Sequence, residues 1–328
     1  MAAEISLKGW IETGGTVLTT EEIACRLSQG TEWLTSCGGE FFLAWEDGCA
    51  RDQMGIVPGR CDAGVIMEKT LVTGHVRPEP PLLPLADAIE TAVRLRNSEG
   101  IVAFSGGVDS ALIAAIAGLP CVTVGTEGSH DLCHAAEVAV ELGLDLICVT
   151  VTPDDVENAL RAVMKVIPRV TPVDASIAAT LYFVVRWAGE NGYSRILAGQ
   201  GADELFGGYS RYLDAADIER LFREDFAGLA MQSARDQAVA NLFGCLFSCP
   251  FLDVRVVRAA EAIPAHKKVF RGVRKHPLRK VACRYMPRET ACYDKKAMQY
   301  GSGIWKVIQR AARKNGYKNS VQEYMNQL

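Results

Sequence analysis

Two aspartates framed by glycines carry most of the chemistry this sequence can do. Asp109 lies in Ile101–Ser110, IVAFSGGVDS, where four apolar residues run into Ser-Gly-Gly and then Asp109 and Ser110. Gly106 and Gly107 can adopt positive φ and let backbone approach an anion closely. The N–H groups of a turn that feeds a helix start form an anion site, and Ser105 and Ser110 add hydroxyl donors. The Asp109 carboxylate repels phosphate unless a divalent cation bridges the two. The set therefore points to a metal–polyphosphate site, without the Gly-x4-Gly-Lys spacing of a Walker loop. A second stretch, Ile196–Tyr212, ILAGQGADELFGGYSRY, repeats the pattern: an apolar strand end, then Gly199, Gly201, Gly207 and Gly208 around Asp203 and Glu204. Acids inside such a loop suit a hard cation. Either stretch alone is also what an ordinary glycine turn looks like; their recurrence in one chain favours the site.

The elements that would position these loops read as alternating strands and helices. Strands are expected at 101–104, 121–125, 145–151 and 195–199. Helices are expected at 85–96, 110–118, 131–142, 154–167 and 174–190. Apolar strands alternating with helices imply a parallel sheet covered on both faces, with ligands at the strands' carboxyl ends near a switch in strand order. The fold class is thus α/β, a parallel sheet flanked by helices. From about residue 211 the pattern reads as helical to the end. Residues 1–75 read as β structure punctuated by Gly14-Gly15, Gly38-Gly39 and Asp47-Gly48, with TTEEIACRLSQG around Cys25 as a helix. The run RPEPPLLP favours extended chain and makes 76–84 a linker.

Composition excludes several classes. The chain has 328 residues, 49% hydrophobic and 23% charged, with a net charge of -4. That describes a globular protein of about two domains without the basic field that nucleic acid requires. No apolar run is long enough to span a membrane, and MAAEISLKGW has no secretory pattern. The 11 cysteines include no CxxC. They are expected as reduced thiols in a cytoplasmic protein, and the twelve-residue spacing of Cys25, Cys37, Cys49 and Cys61 reads as coincidence.

The Ser-Gly-Gly-x-Asp-Ser stretch resembles the pyrophosphate-binding loop of ATP pyrophosphatases. Paired with the GQGADELFGGY stretch, it resembles the synthetase domain of asparagine synthetases, in which the two loops face each other across a nucleotide. The likeness extends over about residues 80–305. It includes VGTEGSHDLCHAAEVAVELGL, where it implies that backbone near Val124 holds adenine, with Ser129 or Asp131 as a helix cap. It includes CPFLD, where Phe251 and Leu252 read as core, and YDKKAMQYGSG, where it places Lys295 as a lysine on pyrophosphate. The resemblance implies ATP and Mg2+ as cofactors, with Asp109 and Asp203 holding the metal. Ser105, Gly106, Gly107, Asp109, Ser110, Val124 and Gly199 would lie on ATP, Gln200 and Gly201 on the substrate, and Lys295, Asp109 and Asp203 would be catalytic. A carboxylate, aspartate by resemblance, would attack the α-phosphorus, and ammonia would convert the acyl-adenylate to asparagine and AMP. Metal and backbone N–H groups would offset the repulsion between the anions.

The sequence also departs from the pattern. Position 2 is Ala2 where glutamine-dependent members present a nucleophilic cysteine after Met1 is removed. GGEFFLAWEDGCARDQMGI nevertheless resembles part of their glutaminase domain. Residues 1–75 are therefore expected to be a truncated glutaminase-like β domain without a nucleophile, and 85–328 the synthetase domain. Ammonia would come from solution or a separate amidotransferase subunit, and a homodimer is allowed. Gln200 stands where these members carry an acid, and an amide is no general base. Ser176 falls where they present an arginine; Arg169, Arg186 or Arg211 could substitute. Three alternatives stay open: an AMP-forming amide or lactam synthetase acting on another carboxylate, a sulfur transferase on tRNA, which the lack of CxxC and of a basic tract disfavours, and a non-catalytic ATP-binding partner.

Overall fold

The computed structural model describes residues 4–294, 298–318 and 320–328. The chain opens with β1 (Ile5–Thr13) and β2 (Thr16–Val17), then α1 (Thr20–Leu27) and a 3-10 turn. β3 (Gly38–Trp45), β4 (Gly48–Arg51), β5 (Val65–Glu68) and β6 (Leu71–His75) complete an antiparallel sheet in the order β2-β1-β3-β4-β5-β6. Gly14-Gly15 turns β1 into β2, Asp47-Gly48 leads β3 into β4, and Lys69-Thr70 turn β5 into β6 at positive φ; Ile11, Leu34, Phe41 and Leu43 form the core with Ile23 of α1.

The second sheet begins after α2 (Leu85–Arg94). β7 (Ile101–Ala103) leads into α3 (Val108–Ala117), β8 (Cys121–Thr126) into α4 (His130–Leu142), and β9 (Leu146–Val151) into α5 (Pro153–Val163) and α6 (Pro172–Glu190). β10 (Arg195–Leu197) leads into α7 (Ala202–Phe206) and the long α8 (Ile218–Asn241), followed by β11 (Leu246–Ser248) and α9 (Val254–Glu261). The five strands are all parallel, in the order β11-β10-β7-β8-β9. Successive strand residues face opposite sides: Ile101 and Ile196 enter one core with Val122, Phe183 and Phe247, while Val102 and Leu197 enter the other with Leu112, Phe206 and Phe251. Both faces are buried at β7, β8 and β10, as a parallel sheet requires. Thr152 and Thr171 cap α5 and α6, each followed by proline at the first helical position, the pairing that satisfies free N–H groups at a helix start.

The chain steps from β7 outward to β8 and β9, then returns to lay β10 on β7's other side. Strand order therefore reverses between β7 and β10, which opens a crevice at their carboxyl ends. Both glycine stretches emerge there. The expectation of an all-helical chain from about residue 211 is corrected by β11: Gly244, at φ 69, ends the α8 segment, and Leu246-Phe247-Ser248 pairs with β10. Asp203 and Glu204 belong to the short helix α7 rather than to an open loop. Ser129 sits at the cap position of α4 without making a cap hydrogen bond.

A buried ion network joins the two sheets. Glu40 of β3 accepts from Arg96 Nε at 3.0 Å, Trp10 Nε1 at 3.2 Å, the Cys249 backbone N–H at 2.7 Å and the Ser248 hydroxyl. Arg96 Nη1 reaches Asp253 at 3.0 Å, which also meets Arg255 at 3.1 Å, and Arg255 closes on Glu12 of β1 at 2.5 Å. Burial alone would raise the Asp253 carboxyl, but the two guanidiniums outweigh it and hold the group below its ordinary range.

Candidate active site

The crevice is a cavity of about 690 Å³, within the size range of small-ligand sites. Its first corner is the turn after β7. Gly106, at φ 72, reverses the chain. The Ser110 hydroxyl accepts from the Ser105 N–H at 3.1 Å, bonds the Ser105 hydroxyl at 3.0 Å and donates to the Gly107 carbonyl at 3.2 Å. The turn is thus fixed by its own side chains and feeds directly into α3. Ser105, Gly107, Asp109 and Ser110 border the cavity, and Gly106 does not.

Asp109 and Asp203 converge on one cation. Lys275, at the N-terminus of α11 (His276–Ala282; the intervening α10 is Ala265–Lys268), places Nζ 2.6 Å from Asp109 Oδ2 and 2.7 Å from Asp203 Oδ1. Burial would lower the Lys275 ammonium, but both carboxylates overcome that and raise it. Asp109 is raised, by burial first, against the pull of Lys275 and with the push of Asp203. Its Oδ1 is buried and has no hydrogen-bond partner among the described residues. Lys275 holds φ 53, a left-handed conformation that costs a lysine of order 1 kcal/mol or more and marks a constrained position. Two glycines make the convergence possible. A β-carbon on Gly199 would lie 3.0 Å from Asp109 Cβ, and one on Gly208 would overlap Asp203 Oδ1 and Lys275 Cε. Arg274 donates to the Gly208 carbonyl at 2.6 Å, while Arg279 donates to the Arg274 carbonyl at 2.8 Å, so both guanidiniums are fixed at this rim.

The opposite wall comes from α6, α7 and α8. Val173, Ile177, Leu181 and Val184 give it an apolar floor. Above them Arg235 lies between Asp236 Oδ1 at 2.8 Å and Asp174 Oδ1 at 3.2 Å. Arg169, at the rim, and the Thr171 hydroxyl reach Asp174 Oδ2. Burial opposes the ionised form of Asp174, but these partners outweigh it and the carboxyl is lowered. Gln200 Nε2 donates to Asp236 Oδ2 at 3.0 Å. Glu204 accepts from the Tyr209 hydroxyl at 2.5 Å and from Gln232 at 2.9 Å; burial leaves it raised. Val124 borders the apolar side beside Val122.

The residues singled out in the sequence thus meet in one place: Ser105, Gly107, Asp109, Ser110, Val124, Gly199, Gln200, Gly201 and Asp203 all border this cavity. Lys295 lies outside the described residues. Ser176 does not border the cavity; it is buried, and its hydroxyl bonds the Val173 carbonyl at 2.9 Å. Of the three suggested replacement arginines, Arg169 and Arg211 border the cavity, whereas Arg186 packs over Tyr182 and Phe183. Lys275, Arg235 and Asp236 were not legible as site residues. Lys275 falls in none of the motifs, and Arg235 and Asp236 open RDQAVANLFGCLFSCPFLD, a stretch that reads as packing.

Two carboxylates aimed at one point, one of them with an unsatisfied buried oxygen, fit Mg2+, which binds through one or two carboxylates plus substrate phosphates. The β7 turn leads into the start of α3 beside them, where helix N–H groups have no intrahelical partner.

The sequence profile of the asparagine synthase family matches residues 84–248 and 235–326. A Methanocaldococcus jannaschii protein, provisionally described as a glutamine-hydrolysing asparagine synthetase, is 33% identical over 288 residues, covering 74% of this chain and 53% of that one. The glutamine-hydrolysing asparagine synthetase B of Escherichia coli is 29% identical over 247 residues, 67% of this chain and 45% of that one. The chain spans about half the length of these curated relatives. An NMN synthetase structure from Francisella tularensis superposes with TM-score 0.28 at 14% identity, over 55% of this chain and 92% of that one.

Proposed function

Because the chain belongs to the asparagine synthase family, we propose that it is an AMP-forming amide ligase. It would adenylate a carboxylate with ATP, release pyrophosphate, and pass the acyl group to ammonia. Aspartate is the acyl donor the family favours. The observation that carries this reading is the meeting of Asp109 and Asp203 at Lys275, where strand order reverses.

Each residue has a task in this chemistry. The Gly107 N–H and those that open α3 would take the β- and γ-phosphates, since the Ser105 N–H is held by the Ser110 hydroxyl. Asp109 and Asp203 would hold Mg2+, which supplies charge neutralisation between attacking carboxylate and triphosphate. Lys275 would move from the two carboxylates to the departing pyrophosphate, and Arg274 and Arg279 would add positive potential at that rim. Val124 and Val122 would bound the adenine. The apolar floor of α6 excludes water from the acyl-adenylate, which otherwise hydrolyses. Lys295 stays a proposed pyrophosphate contact.

We read residues 1–75 as a reduced glutaminase-like β domain, 76–84 as a linker and 85–328 as the synthetase domain. Burial pushes the Cys37 and Cys61 thiols up to about 12, which makes them poor nucleophiles. Ammonia, free or from a separate subunit, is the nitrogen source on this reading. A second reading, with another carboxylate as acyl donor, is favoured by Ser176, whose hydroxyl is turned away into α6.

The test is pyrophosphate release with ATP, Mg2+ and a panel of carboxylates, followed by amide analysis with ammonium or glutamine. Asparagine from aspartate and ammonium alone is the expected result. Another amide selects the second reading, and no carboxylate-dependent pyrophosphate overturns both. Asp109→Ala is expected to lower AMP formation by about 100-fold or more; full activity there overturns the metal assignment.

A further inference from the structure

We propose that Asp236 takes the proton released by the nitrogen nucleophile in the second half-reaction, so that α8 supplies the carboxylate that position 200 lacks. The inference rests on the adenylation reading above and concerns only the step after it.

The geometry singles out this carboxylate. Gly199 packs against Asp109, so the next residue, Gln200, leaves the triphosphate corner and enters the acyl side of the cavity. Its amide spends a donor on Asp236 Oδ2 at 3.0 Å, while Arg235 Nε holds Oδ1 at 2.8 Å. Asp236 is only 2% exposed, yet it borders the cavity. Two bonds on two different oxygens prevent the carboxylate from rotating. A neutral amide at 200 cannot accept a proton, but it can orient a group that does.

Charge points the same way. The inner wall carries Asp174 and Asp236 against the one guanidinium that both share, Arg235. The other cation near Asp174, Arg169, has a side chain 62% exposed. Arg235 is therefore neutralised from both sides and fixes Asp236 rather than offering a free charge to a substrate carboxylate. Arg169 and Arg235 both hold Asp174, so of the two acids on this wall it is Asp236 that Gln200 meets. Glu204 is the other acid on this side, but its Oε1 takes both Tyr209 and Gln232.

The step balances simply. The nitrogen lone pair forms the C–N bond at the acyl carbon, the bond to the phosphate oxygen breaks, and its electron pair leaves with AMP. The nitrogen then carries one proton too many and is strongly acidic, so even an ion-paired carboxylate can take it. Asp236 later returns that proton to solvent.

The experiment separates the half-reactions in the full-length chain, using ATP, Mg2+, L-aspartate and ammonium chloride. Aspartate-dependent exchange of labelled pyrophosphate into ATP reads the first, and asparagine formation the second. Asp236→Asn is expected to lower asparagine formation by about 100-fold while exchange stays within about fivefold of wild type. The exchanged pair, Asp236→Asn with Gln200→Glu, keeps the hydrogen bond with its ends reversed and is expected to recover at least about tenfold of the lost amide rate. Equal losses in both half-reactions, or selective loss in Glu204→Gln instead, overturn the inference. If Asp236→Asn fails to fold, the exchanged pair decides: folding with asparagine formation supports the assignment, and folding without it overturns it. Absence of exchange in the wild type with every carboxylate tried overturns the adenylation reading itself, and this inference falls with it.

Discussion

Lys275 is the residue on which the proposed chemistry and the local electrostatics both turn. Replacing it by methionine leaves Asp109 and Asp203 facing each other without their shared cation. Pyrophosphate exchange is then expected to fall by about 100-fold or more, the scale of losing a positioned charge at a leaving group. The same variant has a pH signature. Burial already raises Asp109 despite Lys275, so the native state holds that proton more tightly than the unfolded chain. A raised carboxyl contributes stability that is present at low pH and lost as pH rises through the native value. Without the ammonium the raising grows, so Lys275→Met is expected to lose stability relative to wild type as pH rises above the ordinary carboxylate range, read from urea midpoints. Asp109 and Asp203 are legible in the sequence because glycines frame each of them and glycines have few other reasons to cluster. Lys275 is not, because what makes it special is a left-handed backbone and two partners 166 and 72 positions away, neither of which leaves a local trace.

At the scale of elements, the turns matter more than the strands they follow. The turn after α7 brings Gly208 so close to Asp203 and Lys275 that no side chain fits there. Gly208→Ala is expected to destabilise the fold by about 1–3 kcal/mol, as overpacking does. Exchange activity is expected to drop about 100-fold because both charged groups shift; near-normal exchange would show that their alignment is not needed. The alternation from β7 to β10 is readable because its strands are apolar runs set between segments of helical spacing. β11 escapes the reading because three residues between a long helix and Pro250 offer no period to detect; only its pairing with β10 makes it a strand. Asp236 is hidden for a related reason. Helical spacing says which face a residue takes, but not that α8 turns this face toward Gln200.

The molecule as a whole is tied together by charge as much as by apolar packing. Arg96, 1% exposed, joins Glu40 of the first sheet to Asp253 behind the second. Removing it with Arg96→Met leaves the buried Glu40 without its cation and Asp253 with Arg255 alone, and a loss of about 3–5 kcal/mol is expected in urea unfolding. A change under about 1 kcal/mol would mean that water reaches the network. No part of this junction is visible in the sequence, since Glu40, Arg96 and Asp253 belong to three separate segments whose meeting is a property of the packed pair of sheets. One consequence of the ammonium lodged between Asp109 and Asp203 reaches beyond structure. With its two acids already countered, the resting protein has little appetite for a free divalent ion. On the proposed chemistry, nucleotide would draw the lysine aside before the ion could settle, so the two ligands are expected to arrive in that order.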